Sequence, residues 1–110
     1  MTANTLKRGD SWRVTWQLLD ANNQPIDLTG SSVRLNLRDR NMGLVVSANQ
    51  SNGKISINAG TGTISLAVPY SEMDIPLGAY IWDLEVTFSN GVRQTVDEGR
   101  LFVVQDYTYE

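Results

Sequence analysis

The stretch Asp74-Ile75-Pro76-Leu77-Gly78-Ala79-Tyr80-Ile81-Trp82 decides how this chain folds. From Tyr80 onward the apolar residues alternate. Tyr80, Trp82, Leu84, Val86 and Phe88 share one parity, and Asp83, Glu85 and Thr87 take the other. A period of two is a strand with one dry face and one wet face. Tyr80 stands where that strand begins. A tyrosine at such an entry can turn its hydroxyl back onto backbone a few residues upstream and so pin the corner. Two residues further on, where a disulfide-linked sandwich sets a core cysteine, this chain has Trp82, whose ring can fill the same volume.

The same alternation spreads outward in both directions. Trp12, Val14, Trp16 and Leu18 predict a strand with two tryptophans facing inward. Val33, Leu35 and Leu37 predict another, alternating with Arg34, Asn36 and Arg38. Leu44-Val45-Val46 and Ile55 with Ile57 give two shorter ones, and Ile64, Leu66 and Val68 give a further one. Asn52-Gly53 and Asn90-Gly91 predict tight type I′ hairpins, and Gly99 predicts a bulge or kink in the return strand that ends at Leu101-Phe102-Val103-Val104. Only Tyr70 to Gly78 leaves room for a helical turn. The pattern predicts an all-β chain, an immunoglobulin-like antiparallel β-sandwich of about seven to eight strands. Residues 1–110 form a single domain, with an N-terminal arm (1–7) and a C-terminal tail (105–110) outside the sandwich. Trp12, Val14, Trp16, Val33, Leu35, Leu37, Ile64, Leu66, Tyr80, Trp82, Leu84 and Val86 are expected to build the core, with Trp12, Trp16, Tyr80 and Trp82 its main structural residues.

Composition narrows the function. The 110 residues carry a net charge of −3, and the arginines are scattered among acids, which argues against nucleic acid as a partner. Arg34, Arg38 and Arg40 read as a solvated strand face. Cysteine and histidine are both absent, which removes the thiolate nucleophile, the thiolate metal site and the usual general base near neutral pH. The N-terminus has no apolar core of a signal peptide and no apolar run is long enough to span a membrane. The opening Met predicts a complete small protein. The chain is expected to be no enzyme and to use no cofactor, metal or small-molecule substrate.

Short motifs point the same way. Arg8-Gly9-Asp10 spells an integrin-recognition tripeptide but reads as a turn before the first tryptophan strand. Asn49-Gln50-Ser51 matches a glycosylation sequon and reads as a loop. Asp83 and Glu85 share a strand face about 7 Å apart, a spacing at which carboxylates can hold a metal or cleave a glycoside; alternating strand charges more simply mark a wet face. Asp97-Glu98 reads as an exposed bend. The tryptophans fall on the apolar parity, so the rings left for a sugar platform are Tyr70, Tyr107 and Tyr109.

Lys7-Arg8-Gly9-Asp10, Pro25-Ile-Asp-Leu-Thr-Gly30, Gly78-Ala-Tyr-Ile-Trp-Asp83-Leu84 and Gly99-Arg-Leu-Phe-Val-Val-Gln-Asp106-Tyr-Thr108 follow one another along the chain. In that order they resemble the immunoglobulin-like domain of tailed-phage virion proteins, such as the N-terminal domain of baseplate upper proteins. The resemblance implies a non-enzymatic structural or adaptor part of a phage or prophage particle, in its tail, baseplate or fibre region. Such a protein is made in the bacterial host cytoplasm, ends in the virion, and contacts other virion proteins or further copies of itself. Leu6, Lys7, Tyr107 and Tyr109 are the expected interface residues, because arm and tail lie outside the predicted sandwich and tyrosines are enriched in interfaces. Two alternatives are a carbohydrate-binding module and a small phage-encoded inhibitor of a host protein.

Overall fold

The computed structural model describes residues 2–105, with side chains described from residue 5 onward. Eight strands follow in chain order: β1 (Thr2–Lys7), β2 (Trp12–Gln17), β3 (Ser32–Arg38), β4 (Leu44–Asn49), β5 (Ile55–Asn58), β6 (Thr63–Val68), β7 (Gly78–Thr87) and β8 (Arg93–Val104). A single 3-10 turn, Tyr70–Glu72, occupies the stretch that had room for one. Five strands form one sheet in the order β1-β8-β7-β3-β4, and three form the other in the order β2-β6-β5. The two sheets close on one core, as the alternation predicts.

The tryptophans tie the layers together. Trp12 and Trp82 are buried and meet edge-on with centroids 6.3 Å apart. Trp16, half-buried, approaches Trp82 at 5.8 Å from the same side of the sandwich. Edge-to-face packing sets the positive ring edge against a negative ring face and adds to simple burial. Trp82 is flanked in its sheet by Leu37 and Gly99, so its β8 neighbour sets no side chain beside it. Of the twelve core residues read from parity, Val14 and Trp16 are half-buried and the other ten are buried. Tyr80 donates its hydroxyl to the Pro76 carbonyl at 2.6 Å, and the corner is pinned as expected.

The Asp27-Leu28-Thr29-Gly30 motif is a local lock. Asp27 Oδ1 accepts from the Thr29 amide at 2.9 Å and from its hydroxyl at 2.7 Å. That closes a turn whose Leu28 is driven fully into the core. The Thr29 hydroxyl, and then its amide, hold the Asp27 carboxyl below the usual carboxylate range.

Several expectations are corrected. The segment expected as a free arm, 1–7, is strand β1, paired parallel to β8 from Thr2↔Gly99 to Lys7↔Val104. Its backbone satisfies the edge of β8, which would otherwise expose a row of unpaired amides and carbonyls. The sandwich is therefore antiparallel except at this edge. The two Asn-Gly turns are not type I′. Gly53 (φ 78°) and Gly91 (φ 87°) take positive φ while Asn52 and Asn90 do not. Around Asn90-Gly91 the Gly91 amide bonds Phe88 O and the Phe88 amide bonds Val92 O, both at 2.8 Å, giving a three-residue loop that ends on a left-handed glycine. Asn52-Gly53 makes no hairpin, because it carries the chain from β4 in one sheet to β5 in the other. The bulge in β8 lies at Val96, between the pairs Leu84↔Asp97 and Glu85↔Thr95, and Gly99 keeps regular register.

Candidate interaction surface

The outer face of the five-stranded sheet holds the most unusual surface among the described residues. Strand β7 runs down its middle. Its wet-parity residues should all be polar, yet Ile81 lies there with 37% of its surface exposed. Ile81 stands between Arg38 on β3 and Arg100 on β8 in the ladder, so a cation flanks it on each side. Phe102 follows Arg100 on the same face of β8, and Leu44 opposes Arg38 from β4.

Met42 completes the patch from the β3–β4 turn. It is 57% exposed and has φ 66°, although Asn41 and Gly43 on either side tolerate that conformation better. The Arg38 guanidinium donates to the Met42 carbonyl at 3.1 Å, and Asp39 Oδ1 accepts from the Asn41 and Gly43 amides at 2.9 Å each. The turn thus holds an apolar side chain at its tip in a strained backbone conformation. Between Met42, Ile81 and the next row of the sheet lies a shallow depression of about 250 Å³. That next row reads Asn36, Asp83, Glu98, with the two carboxylates directly opposite each other.

The carboxylates raised by the sequence sit in different surroundings, Asp83 facing Glu98 across the ladder. Glu85 is held by Arg34 at 2.7 Å and approached by Arg93 at 3.7 Å. Asp97, expected on an exposed bend, is half-buried. It shares inward parity with Gly99, Leu101 and Val103, and its Oδ2 accepts from the Trp16 indole at 2.8 Å. Arg8 reaches Asp74 at 2.9 Å, while Gly9 (φ 88°) lets the Asp10 amide close a turn onto Lys7 O. Arg8-Gly9-Asp10 is accordingly a tied turn.

Of the four expected interface residues, Tyr107 and Tyr109 lie outside the described residues. Leu6 is half-buried and packs against the core. Lys7 is exposed at the end of β1. The patch around Ile81 was not singled out from the sequence. Its signal was present all the same, as apolar residues at positions 81 and 102 on the wet parity of their strands.

No protein-family model matches the chain, and no curated protein matches its sequence. Among solved structures, CopC from Methylosinus trichosporium OB3b superposes with a TM-score of 0.52 at 16% identity, covering 89% of this chain and 80% of that one. The fold is an immunoglobulin-like β-sandwich. Extracellular domains 3–5 of Drosophila OTK align at 15% identity with a TM-score of 0.46, covering 96% of this chain and 34% of theirs, so this chain spans about a third of that length.

Proposed function

We propose that this immunoglobulin-like domain is a non-catalytic docking module, a structural or adaptor part of a tailed-phage or prophage particle. The observation that carries the docking reading is the patch of exposed apolar residues on the wet face of a rigid sheet. Ile81, Phe102, Leu44 and Met42 gain nothing there for an isolated monomer, and exposed apolar side chains interleaved with Arg38 and Arg100 have the composition of a contact site. The particle is suggested by the sequence resemblance, whose elements have plain structural roles here: the Lys7–Asp10 turn, the Asp27–Thr29 lock and the Tyr80 corner. A sugar platform is the weaker reading: of the rings left for it, Tyr70 is exposed but stands on the 3-10 turn away from the Ile81 patch, and Tyr107 and Tyr109 lie outside the described residues.

The test is to tag the protein in its bacterial host, induce and purify particles, and locate the tag by immunogold in negative stain. Discrete labelling at the tail or baseplate is expected. Intact particles free of the protein would refute the reading.

A further inference from the structure

We propose that the patch around Ile81 receives the acidic, aromatic segment Asp106-Tyr107-Thr108-Tyr109-Glu110 of a second copy, giving a head-to-tail contact between identical chains. This rests on the docking reading and names the partner for it.

The chemistry of the two surfaces is complementary. The patch offers two cations, Arg38 and Arg100, on either side of Ile81, roughly 10 Å apart by strand spacing. Among the described residues Arg100 closes no ion pair, and Arg38 is engaged only with the Met42 carbonyl. Around them Met42, Leu44, Ile81 and Phe102 supply apolar surface. The segment 106–110 has an acid at each end and two tyrosines between, and no cation. Tyrosine rings can lie on the apolar surface and on the guanidinium planes, the segment's carboxylates can reach Arg38 and Arg100, and the tyrosine hydroxyls can donate to Asp83 and Glu98, the two acids of the next row. Met42 suits such a surface, since a flexible thioether adapts its shape to an aromatic ring.

A second copy is favoured over the chain's own segment by direction and reach. Strand β8 passes Arg100 and Phe102 before it ends at Val104. To lie on its own patch the chain would have to reverse immediately, and residues 105–110 contain neither Gly nor Pro to shape a tight reversal. Five residues extend about 17 Å, enough to cross a neighbour's patch but short for a turn followed by a return. A contact between two different surfaces of one chain is heterologous, and its repetition closes a ring or grows a filament.

Sedimentation of the full chain over a concentration series tests this, with two kinds of variant. Arg100→Glu with Ile81→Asp breaks the patch and leaves the segment intact. Tyr107→Ala with Tyr109→Ala breaks the segment and leaves the patch. Wild type should associate with increasing concentration, and each variant alone should associate at least about tenfold more weakly. Mixed together, the two variants should form a 1:1 complex and nothing larger, since one intact patch meets one intact segment. Melting curves check that both variants stay folded; a variant that does not is replaced by Arg38→Glu or by Asp106→Lys with Glu110→Lys. Wild type that stays monomeric to about 1 mM overturns the proposal. So does a mixture that stays monomeric, or a segment variant that still associates like wild type, which would indicate a symmetric face-to-face contact. Labelled particles that incorporate a monomeric wild-type protein would overturn the head-to-tail contact and leave the docking reading standing.

Discussion

Cutting the bond between Trp16 and Asp97 should loosen the two sheets from each other. Trp16 belongs to β2 in the three-stranded sheet and Asp97 to β8 in the five-stranded one, and the indole N–H donates to Oδ2 at 2.8 Å. A hydrogen bond to a charged acceptor contributes about 1.5–3 kcal/mol, and because both side chains keep some contact with solvent the lower part, about 1.5–2 kcal/mol, applies. At about 4 °C per kcal/mol for a domain of this size, Asp97→Ala should lower Tm by about 6–8 °C. Trp16→Phe loses the same bond together with part of the ring contact to Trp82 at 5.8 Å. Asp97 Oδ1 also accepts from the Glu98 amide at 2.9 Å, but that loss is common to both backgrounds and cancels in a double-mutant cycle. Urea unfolding of wild type, both single variants and the double variant should give a coupling energy near 1.5 kcal/mol. Additivity within about 0.5 kcal/mol would show that the strut contributes nothing and that Asp97 is merely tolerated at an inward position.

Gly62→Ala should destabilise by at least about 1–3 kcal/mol in the same urea assay, because φ is 65° and a Cβ would sit 2.8 Å from the carbonyls of both Leu18 and Ile26. Trp82→Ala removes the ring on which Trp12 and Trp16 both pack and should cost about 3–5 kcal/mol; an unchanged Tm would refute the inward register of β7. Burial, and then the Asp39 charge, raise the Tyr80 hydroxyl above its ordinary value of 10.0, with Arg8 opposing. The folded protein therefore holds this proton longer than the unfolded chain does. The associated stability is complete below pH 10.0 and is lost as pH rises through the folded value, so Tyr80→Phe should flatten the alkaline fall in Tm while lowering Tm at neutral pH. Ultraviolet titration in which all four tyrosines ionise together would refute it.

What could be read from the sequence was what local geometry imposes. Successive side chains on an extended backbone must point to opposite sides, so parity alone assigned Leu35, Leu84 and Trp82 to the interior. The Tyr80 corner was within reach because its partner lies four residues away. Strand β1 was hidden because it is held by backbone bonds to β8, which every residue type but proline can make, and its sequence shows no apolar period. Parity cannot count an unpaired residue, so the bulge at Val96 went unseen, and the partner of Asp97 is 81 residues distant. The patch depends on the same kind of distance. Met42, Ile81 and Phe102 are ordinary scattered hydrophobics in the chain, and only the ladder β4-β3-β7-β8 brings them to one end of one face, with Arg38 and Arg100 between them.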